Sequence, residues 1–202
     1  MKPAILLAPL VVASVTAAAP AAAATEPPLP YLKAALETYT GTGCPNKTVK
    51  ALVNKDSTLV TLKFVQFYAE SATTGETDTK SCDLRLSMTA PPGYQFASVQ
   101  AAYTLFPTIM AGAHTSFDAT YQFEGSAEPG GTFHQVYANP AESRVRHRLE
   151  DVAQPISSCG GTVTLVSHQE ISATAGPRNA AAIIELESTD HGAEVGVSFT
   201  RC

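Results

Sequence analysis

Apolar and polar residues alternate along much of the chain, and this pattern predicts β-strands. The clearest case is 82–89, where Leu84, Leu86 and Met88 alternate with polar residues, as in a half-buried strand. Further strands are predicted at 58–67, 94–105, 113–123, 162–171, 180–186 and 195–199. Turn residues separate these short segments, and no helix–strand alternation is present. The sequence therefore predicts an all-β fold, a β-sandwich of antiparallel strands.

Residues 1–24 have the pattern of a signal peptide. Lys2 is followed by small and apolar residues, and 22–24 is an Ala-Ala-Ala cleavage signal, which places the cut before Thr25. The Leu/Val-rich centre is shorter than the ~20 apolar residues that a membrane span needs. We expect a secreted protein, extracellular or associated with the cell surface, with no membrane attachment after cleavage.

The rest of the chain is predicted to form a short leader and one domain. Residues 25–40 hold a Pro-rich leader and a first element at 31–39, which periodicity does not assign to helix or strand. Residues 41–202 are expected to form a single β-sandwich domain. The segment 125–155 is rich in Gly and Pro turns, and we interpret it as a loop excursion that links two halves of the sandwich.

Composition excludes several classes of protein. Hydrophobic residues make up 45% of the chain and charged residues 15%, which is typical of neither a disordered chain nor a long-helix protein. The formal net charge is −5, and removal of Lys2 with the signal peptide lowers it by one. An acidic chain of low charge density is a poor nucleic-acid binder, because phosphate contacts need clustered Lys and Arg.

Four cysteines predict two disulfides in an exported protein. Three pairings are open, and we favour Cys44–Cys82 with Cys159–Cys202, each closing a loop within its half of the chain. Cys44 and Cys82 are each expected to begin a strand, and the last strand is expected to lie beside the strand after Cys159. No C-x-x-C pair is present, so a zinc site is disfavoured, and we predict neither metal nor cofactor.

Several segments together resemble a known family. They are 41–45 (Gly-Thr-Gly-Cys-Pro), 81–86 (Ser-Cys-Asp-Leu-Arg-Leu), 90–97, 121–125, 158–160 and 199–202. In this order they are similar to the small secreted proteins of bacteria and fungi grouped as domain of unknown function 4360. The resemblance covers nearly the whole chain after the signal peptide, although this chain has no tryptophan. It implies a secreted all-β fold with two disulfides, and it implies no known activity.

Two local patterns mark candidate sites of modification or metal binding. Asn46 begins an Asn-Lys-Thr sequon, which is a glycosylation site if the source is a eukaryote. His168 and Glu170 are two residues apart on a predicted strand, so they share a face, about 7 Å apart along the strand. A metal would need a third ligand there, and a polar outer face is the preferred interpretation.

A second group of candidates carries charge or aromatic rings. Arg144, Arg146 and Arg148 alternate, so as a strand they share one face that is able to bind an anionic glycan or phosphate. A solvated edge strand is the alternative, and acidic residues at 142, 150 and 151 flank the run. A further set of aromatic residues is interpreted as core rather than as a ligand platform: Tyr94, Phe96, Tyr103, Tyr121 and Phe123.

The sequence contains neither an H-E-x-x-H nor a G-x-S-x-G motif, and we predict no catalytic residues. The preferred function is a non-catalytic, surface-binding protein or a wall or matrix component, with a glycan or an extracellular protein as its partner. One alternative is a secreted hydrolase with an unrecognised site. Another is an inhibitor or effector that acts on another organism's protein through an exposed loop at 125–140.

Overall fold

The structure is a computed structural model that describes residues 31–56, 58–126, 130–138, 141–142, 144–153, 157–186 and 192–202. The predicted signal peptide and its cleavage site lie outside these residues. Two antiparallel β-sheets face each other, and the described helical structure consists of a single 3₁₀ turn at Pro177–Asn179. The predicted all-β sandwich is confirmed.

Sheet A has five strands in the order β1-β5-β11-β7-β8. They are β1 (Lys33–Thr40), β5 (Thr77–Thr89), β7 (His114–Phe123), β8 (Thr132–Tyr137) and β11 (Thr162–Thr174). The element at 31–39, which periodicity left open, is therefore a strand at the edge of sheet A. Strand β11 lies in the middle and pairs along its length with β5 on one side and β7 on the other.

Sheet B is built around one long strand, β6 (Tyr94–Ile109). The others are β2 (Val49–Val53), β3 (Leu59–Phe64), β4 (Tyr68–Ser71), β9 (Ala141–Glu142), β10 (Val145–Ala153), β12 (Ala182–Leu186) and β13 (Ala193–Arg201). Strands β13 and β12 follow each other along one side of β6, while β10 and β9 lie along its other side. Strands β3 and β2 extend the sheet beyond β13, and β4 extends it beyond β12.

The core lies between the sheets, where alternate residues of each strand are buried. Leu84, Leu86 and Met88 of β5 are all buried, as the alternation predicted. The ring of Tyr103 packs 4.8 Å from that of Phe117, measured between ring centroids. Of the aromatic residues interpreted as core, four are buried: Phe96, Tyr103, Tyr121 and Phe123. The fifth, Tyr94, is half-buried, and the guanidinium of Arg201 lies 5.9 Å from the centre of its ring.

The predicted disulfides are confirmed, but part of the reasoning behind them was wrong. Cys44 pairs with Cys82 and Cys159 with Cys202, with Cα–Cα distances of 5.4 and 6.0 Å. Cys44 lies in the turn after β1 and Cys82 lies inside β5, so neither begins a strand. Strand β11, which follows Cys159, belongs to sheet A, whereas β13 belongs to sheet B. The second disulfide therefore joins the two sheets instead of two neighbouring strands.

The segment 125–155 is more than a loop. Strand β8 forms an edge of sheet A, and β10 pairs with β6 in sheet B. Their inward positions include Gln135 and His147, which are only partly buried, so the apolar alternation that marks the other strands is weak here. Strands from early and late parts of the chain also pair directly, as β5 does with β11, so the chain does not fold as two separate halves.

Candidate functional site

The three arginines of the sequence pattern lie at or just before β10. Arg146 is opposite Thr104 of β6, and Arg148 is opposite Ala102. Both arginines are exposed, while the intervening His147 is partly buried, so the side chains of Arg146 and Arg148 point away from sheet A. Arg144 precedes the strand and is exposed as well. The side chains of the flanking acidic residues 142, 150 and 151 lie outside the described structure.

An ion pair crosses the central strand on this outer face of sheet B. Arg146 of β10 donates a hydrogen bond to the Glu194 carboxylate of β13, and β6 lies between these two strands. The pair therefore passes over β6, where the outward side chains of Ala102 and Thr104 are only 6% and 2% exposed. Small residues on β6 leave room for this bridge, and Glu194 fixes the position of Arg146.

A small depression lies beside the ion pair. Arg146 and Arg148 line it together with Glu194, Gln100 and Gly196, and its volume is about 40 Å³. Two guanidinium groups, an amide and the Glu194 carboxylate, which is paired with Arg146, therefore border one shallow site. Guanidinium groups recognise carboxylate, sulfate or phosphate oxygens through paired hydrogen bonds, so the arrangement is able to hold an anionic group at the surface.

Two lysines extend the positive charge across the sheet. Lys50 of β2 and Lys63 of β3 are directly opposite each other and on the same outer face. We refer to Lys50, Lys63, Arg146 and Arg148 as the basic belt. The belt therefore places two ammonium groups side by side on neighbouring strands.

Two exposed aromatic residues on the same face of sheet B were missed by sequence reasoning. Tyr68 of β4 and Phe106 of β6 are both opposite Glu185 of β12, which lies between them. Their exposed fractions are 49% and 38%. Two strand spacings separate them, or about 9–10 Å. We refer to these three residues as the aromatic strip.

The aromatic strip and the basic belt form one continuous surface. Phe106 and Thr104 are both outward-facing residues of β6, about 7 Å apart along the strand, and Thr104 is opposite Arg146. Val145 pairs with Leu105, which brings Arg144, at the start of β10, level with Phe106. We call this combined area the sheet B surface.

The outer face of sheet A carries histidine–aspartate pairs. His168 Nδ1 lies 2.8 Å from Asp83 Oδ1, and His134 Nδ1 lies 2.5 Å from Asp118 Oδ1. Glu170 is on the same face as His168, as the sequence predicted, and it is opposite Asp118. The partner of His168 in this structure is thus an aspartate. Among the described residues, no group of three His, Cys, Asp or Glu side chains is arranged to hold a metal ion.

The other histidines and the Asn46 sequon are distributed over the molecule. His114 begins β7 and is exposed, and His191 lies outside the described residues. Asn46 is exposed in the turn between β1 and β2, where it borders an open depression of about 480 Å³. Thr48 of the same sequon donates a hydrogen bond from Oγ1 to the Pro45 carbonyl at 2.5 Å. Glycosylation of Asn46 stays a prediction.

Within the described ranges, no helix has the length and apolarity required to cross a bilayer.

Comparison with known families supports the resemblance seen in the sequence. A family model described as a domain of unknown function, DUF4360, matches residues 34–202. The chain belongs to this family. An uncharacterized secreted protein of Arthroderma benhamiae is 30% identical to it over 159 residues. That match covers 76% of this chain and 64% of the relative, so the chain spans about two thirds of the relative's length. The expectation of a secreted protein is confirmed by this relative.

Two solved structures are similar at a low level. One is TmCBM61 in complex with β-1,4-galactotriose, with a TM-score of 0.32 and 9% identity over 80% of this chain and 90% of that chain. The other is a family 11 carbohydrate-binding module from Clostridium thermocellum in complex with a β-1,3-1,4-mixed-linked tetrasaccharide. Its TM-score is 0.22, with 9% identity over 83% of this chain and 88% of that chain. These TM-scores are too low to establish a shared fold.

The segments that resemble DUF4360 have structural roles near the disulfides. Gly43 donates a backbone hydrogen bond to the Ser81 carbonyl at 2.8 Å, next to the Cys44–Cys82 bond. Gly41 has a φ of 143°, and a Cβ atom there would lie 2.1 Å from the Ser81 carbonyl oxygen. A glycine is therefore required for this close approach. In this DUF4360 chain the aromatic strip and basic belt lie outside those segments.

Proposed function

We propose that this protein is a non-catalytic extracellular binding protein that holds a polysaccharide of a cell wall or matrix on the sheet B surface. The observation that carries the proposal is the aromatic strip, in which Tyr68 and Phe106 are exposed on one face with Glu185 between them. A folded protein buries most of its aromatic rings because each contributes a large apolar area. Two rings exposed on the same face of one sheet are explained by a ligand that covers them.

The geometry of the strip fits an extended sugar polymer. Sugar rings have an apolar face that packs on an aromatic ring, while their hydroxyl groups need hydrogen-bond partners. Tyr68 and Phe106 supply two such platforms, separated by about 9–10 Å, and Glu185 supplies acceptor oxygens between them. Glu70 and Thr108 are outward-facing in the adjacent row, next to Ile183. An extended chain crossing β4, β12 and β6 would meet both rings and polar groups beside them.

Binding is favoured over hydrolysis by the arrangement of the carboxylates. Glycoside hydrolysis uses two carboxyl groups on either side of the scissile bond, at a separation that depends on the mechanism. Glu185 and Glu70 instead lie diagonally on neighbouring strands, β12 and β4, of one sheet face. Side chains on such a face approach a polymer from one side only, which suits adhesion better than bond cleavage.

The proposal is tested by retention of the secreted protein on a panel of polysaccharides in affinity electrophoresis. Tyr68→Ala and Phe106→Ala are each expected to weaken retention about tenfold, the usual effect of removing an aromatic anchor. Tyr31→Ala is the matched control, because Tyr31 is 66% exposed but lies outside sheet B. Unchanged retention of the two strip variants would contradict the proposal, as would wild-type protein that binds no member of the panel. Release of reducing ends would instead favour the hydrolase.

A further inference from the structure

We infer that the polysaccharide held on the sheet B surface is acidic and carries carboxylate or sulfate groups. This inference rests on the proposed function and names the class of ligand. The aromatic strip by itself makes no distinction between neutral and charged sugars. The basic belt lies on the same face and borders the strip along β6, and it is the feature that selects an anionic chain.

Positive charge is concentrated on this face. Lys2 of the predicted signal peptide is one of the 13 lysines and arginines of the chain. Of the other twelve, five lie on the outer face of sheet B or at the start of β10: Lys50, Lys63, Arg144, Arg146 and Arg148. The outer face of sheet A carries Asp83, Asp118 and Glu170 beside Lys33 and Arg85. The described carboxylates on the outer face of sheet B are Glu70, Glu185 and Glu194. Among the described side chains of the sheet B surface, cations thus outnumber carboxylates by five to three, although the net charge of the chain is −5.

Protection of a sheet edge accounts for only part of this charge. Charged residues on an edge strand prevent pairing with other molecules, and Arg146 and Arg148 are on strand β10 at such an edge. Lys63 is on β3, however, which is paired on both sides, with β2 and with β13. An interior strand has no edge to protect. The lysines on β2 and β3 are opposite each other, so they present two ammonium groups to a ligand on this face.

The arginines are arranged for paired hydrogen bonds to an anionic group. Glu194 holds Arg146 over β6, and Arg148 borders the same depression beside Gln100. Glu194 is thus a positioning residue that orders one guanidinium, and the second guanidinium adds charge to the site. A guanidinium fixed in advance binds a carboxylate or sulfate with less loss of conformational entropy than a mobile one.

The register of sheet B places these charges along the path of a polymer. A chain lying over Tyr68, Glu185 and Phe106 runs across the strands and leaves β6 on its β10 side. Arg144 lies there level with Phe106, and Arg146 is one outward position farther along. An acidic substituent on a sugar that follows the stacked rings would therefore reach the arginines.

The test compares three soluble polymers with one β-1,4-glucan backbone: hydroxyethyl cellulose, carboxymethyl cellulose and cellulose sulfate. The wild-type secreted protein is expected to bind one or both charged polymers about tenfold more tightly than the neutral one at low salt, and added salt is expected to reduce that preference. Comparison of the two charged polymers distinguishes carboxylate from sulfate recognition.

Substitutions distinguish a failure of the inference, that the ligand is acidic, from a failure of the proposed function, that the ligand is a polysaccharide. Arg148→Gln and Lys50→Gln should each weaken binding of the charged polymers and leave neutral binding unchanged, whereas Phe106→Ala should weaken both. Lys33→Gln is the matched control, because Lys33 is exposed on β1 of sheet A. Equal wild-type affinity for charged and neutral polymers overturns the inference and leaves the proposed function standing. Binding to none of the three, together with salt-sensitive self-association, would identify a second copy of the chain as the occupant and overturn the inference.

Discussion

The imidazole Nε2 of His147 lies 2.6 Å from the hydroxyl oxygen of Tyr137, and this contact joins β10 of sheet B to β8 of sheet A. The His147 ring also packs 4.8 Å from the ring of Phe133, measured between centroids. Burial lowers the pKa of His147, and burial raises the pKa of Tyr137 to about 12. Both side chains are therefore neutral at neutral pH, and the contact closes one side of the sandwich.

This contact predicts how stability depends on pH. A histidine with a lowered folded-state pKa contributes stability that is present above its unfolded value, about 6.5, and is lost as the pH falls toward the folded value. The free energy of unfolding, measured with urea, should therefore decrease as the pH is lowered through about 6.5. His147→Gln should reduce that decrease, and His114→Gln, which removes an exposed histidine, is the control substitution. An unaltered pH profile in the His147 variant would refute the assignment.

Removal of the hydroxyl group tests the same contact without a change of charge. Tyr137→Phe keeps the ring and removes the hydrogen bond to His147. We expect a loss of about 1 kcal/mol in the free energy of unfolding at neutral pH, the usual contribution of one intramolecular hydrogen bond. Urea denaturation of the variant measures this change. Full wild-type stability would indicate that the two rings pack without a significant hydrogen bond.

The two disulfides should contribute similarly to stability. They join residues 38 and 43 positions apart in the sequence. In the chain-entropy model, loops of this size each correspond to about 4 kcal/mol. Cys44→Ser with Cys82→Ser, and separately Cys159→Ser with Cys202→Ser, should each lower the free energy of unfolding by up to this amount. A much smaller loss in only one of the two variants would contradict the expectation of equal contributions.

A buried hydroxyl group offers a route to a more stable protein. Thr115 is fully buried in β7, and its Oγ1 atom has no hydrogen-bond partner. Since an unsatisfied buried hydroxyl costs about 1–3 kcal/mol, Thr115→Val, which keeps the shape, should raise the melting temperature. Thr120→Val is the control, because Thr120 is exposed on the same strand and should change stability little. A lower melting temperature for Thr115→Val would show that the hydroxyl is satisfied.

The sequon at Asn46 is tested by a pair of substitutions at one position. Thr48→Ala destroys the sequon, and Thr48→Ser preserves it. After secretion from a eukaryotic host, we expect the wild type and the serine variant to carry a glycan that glycosidase treatment removes. The alanine variant should have the mass of the unmodified chain. Equal masses for all three proteins, without a response to the glycosidase, would exclude glycosylation in that host.

The strands were predictable where one face of the strand is much more buried than the other. Leu84, Leu86 and Met88 alternate with polar residues because one face of β5 is buried and the other is solvated. Strands β8 and β10 were missed because their inner residues, such as Gln135 and His147, are only partly buried. A weak difference between the faces leaves a weak pattern in the sequence, although the backbone pairs in the same way.

The candidate site was predictable only in part, because its residues are distant in the sequence. The shared face of Arg146 and Arg148 follows from their spacing in one strand. The aromatic strip depends on which strands are neighbours, since Tyr68 and Phe106 are related through Glu185 of a third strand. Side chains alternate between the two faces of a strand. Phe106 is three residues after the core residue Tyr103 on β6, so the sequence does predict that Phe106 points away from the core. No local pattern in the sequence predicts the strand pairing that brings Tyr68 to the same row as Phe106.

The position of β13 has a consequence for the order of folding. The last nine-residue strand of the chain, Ala193–Arg201, is inserted between β3 and β6 in the middle of sheet B. Long-range pairing of this kind is slow compared with local contacts. Sheet B is therefore complete only after this strand has been made, and a chain that lacks residues 193–201 loses the connection between β3 and β6. We therefore expect β3 and β6 to be joined within sheet B only late in folding, once Ala193–Arg201 is in place between them.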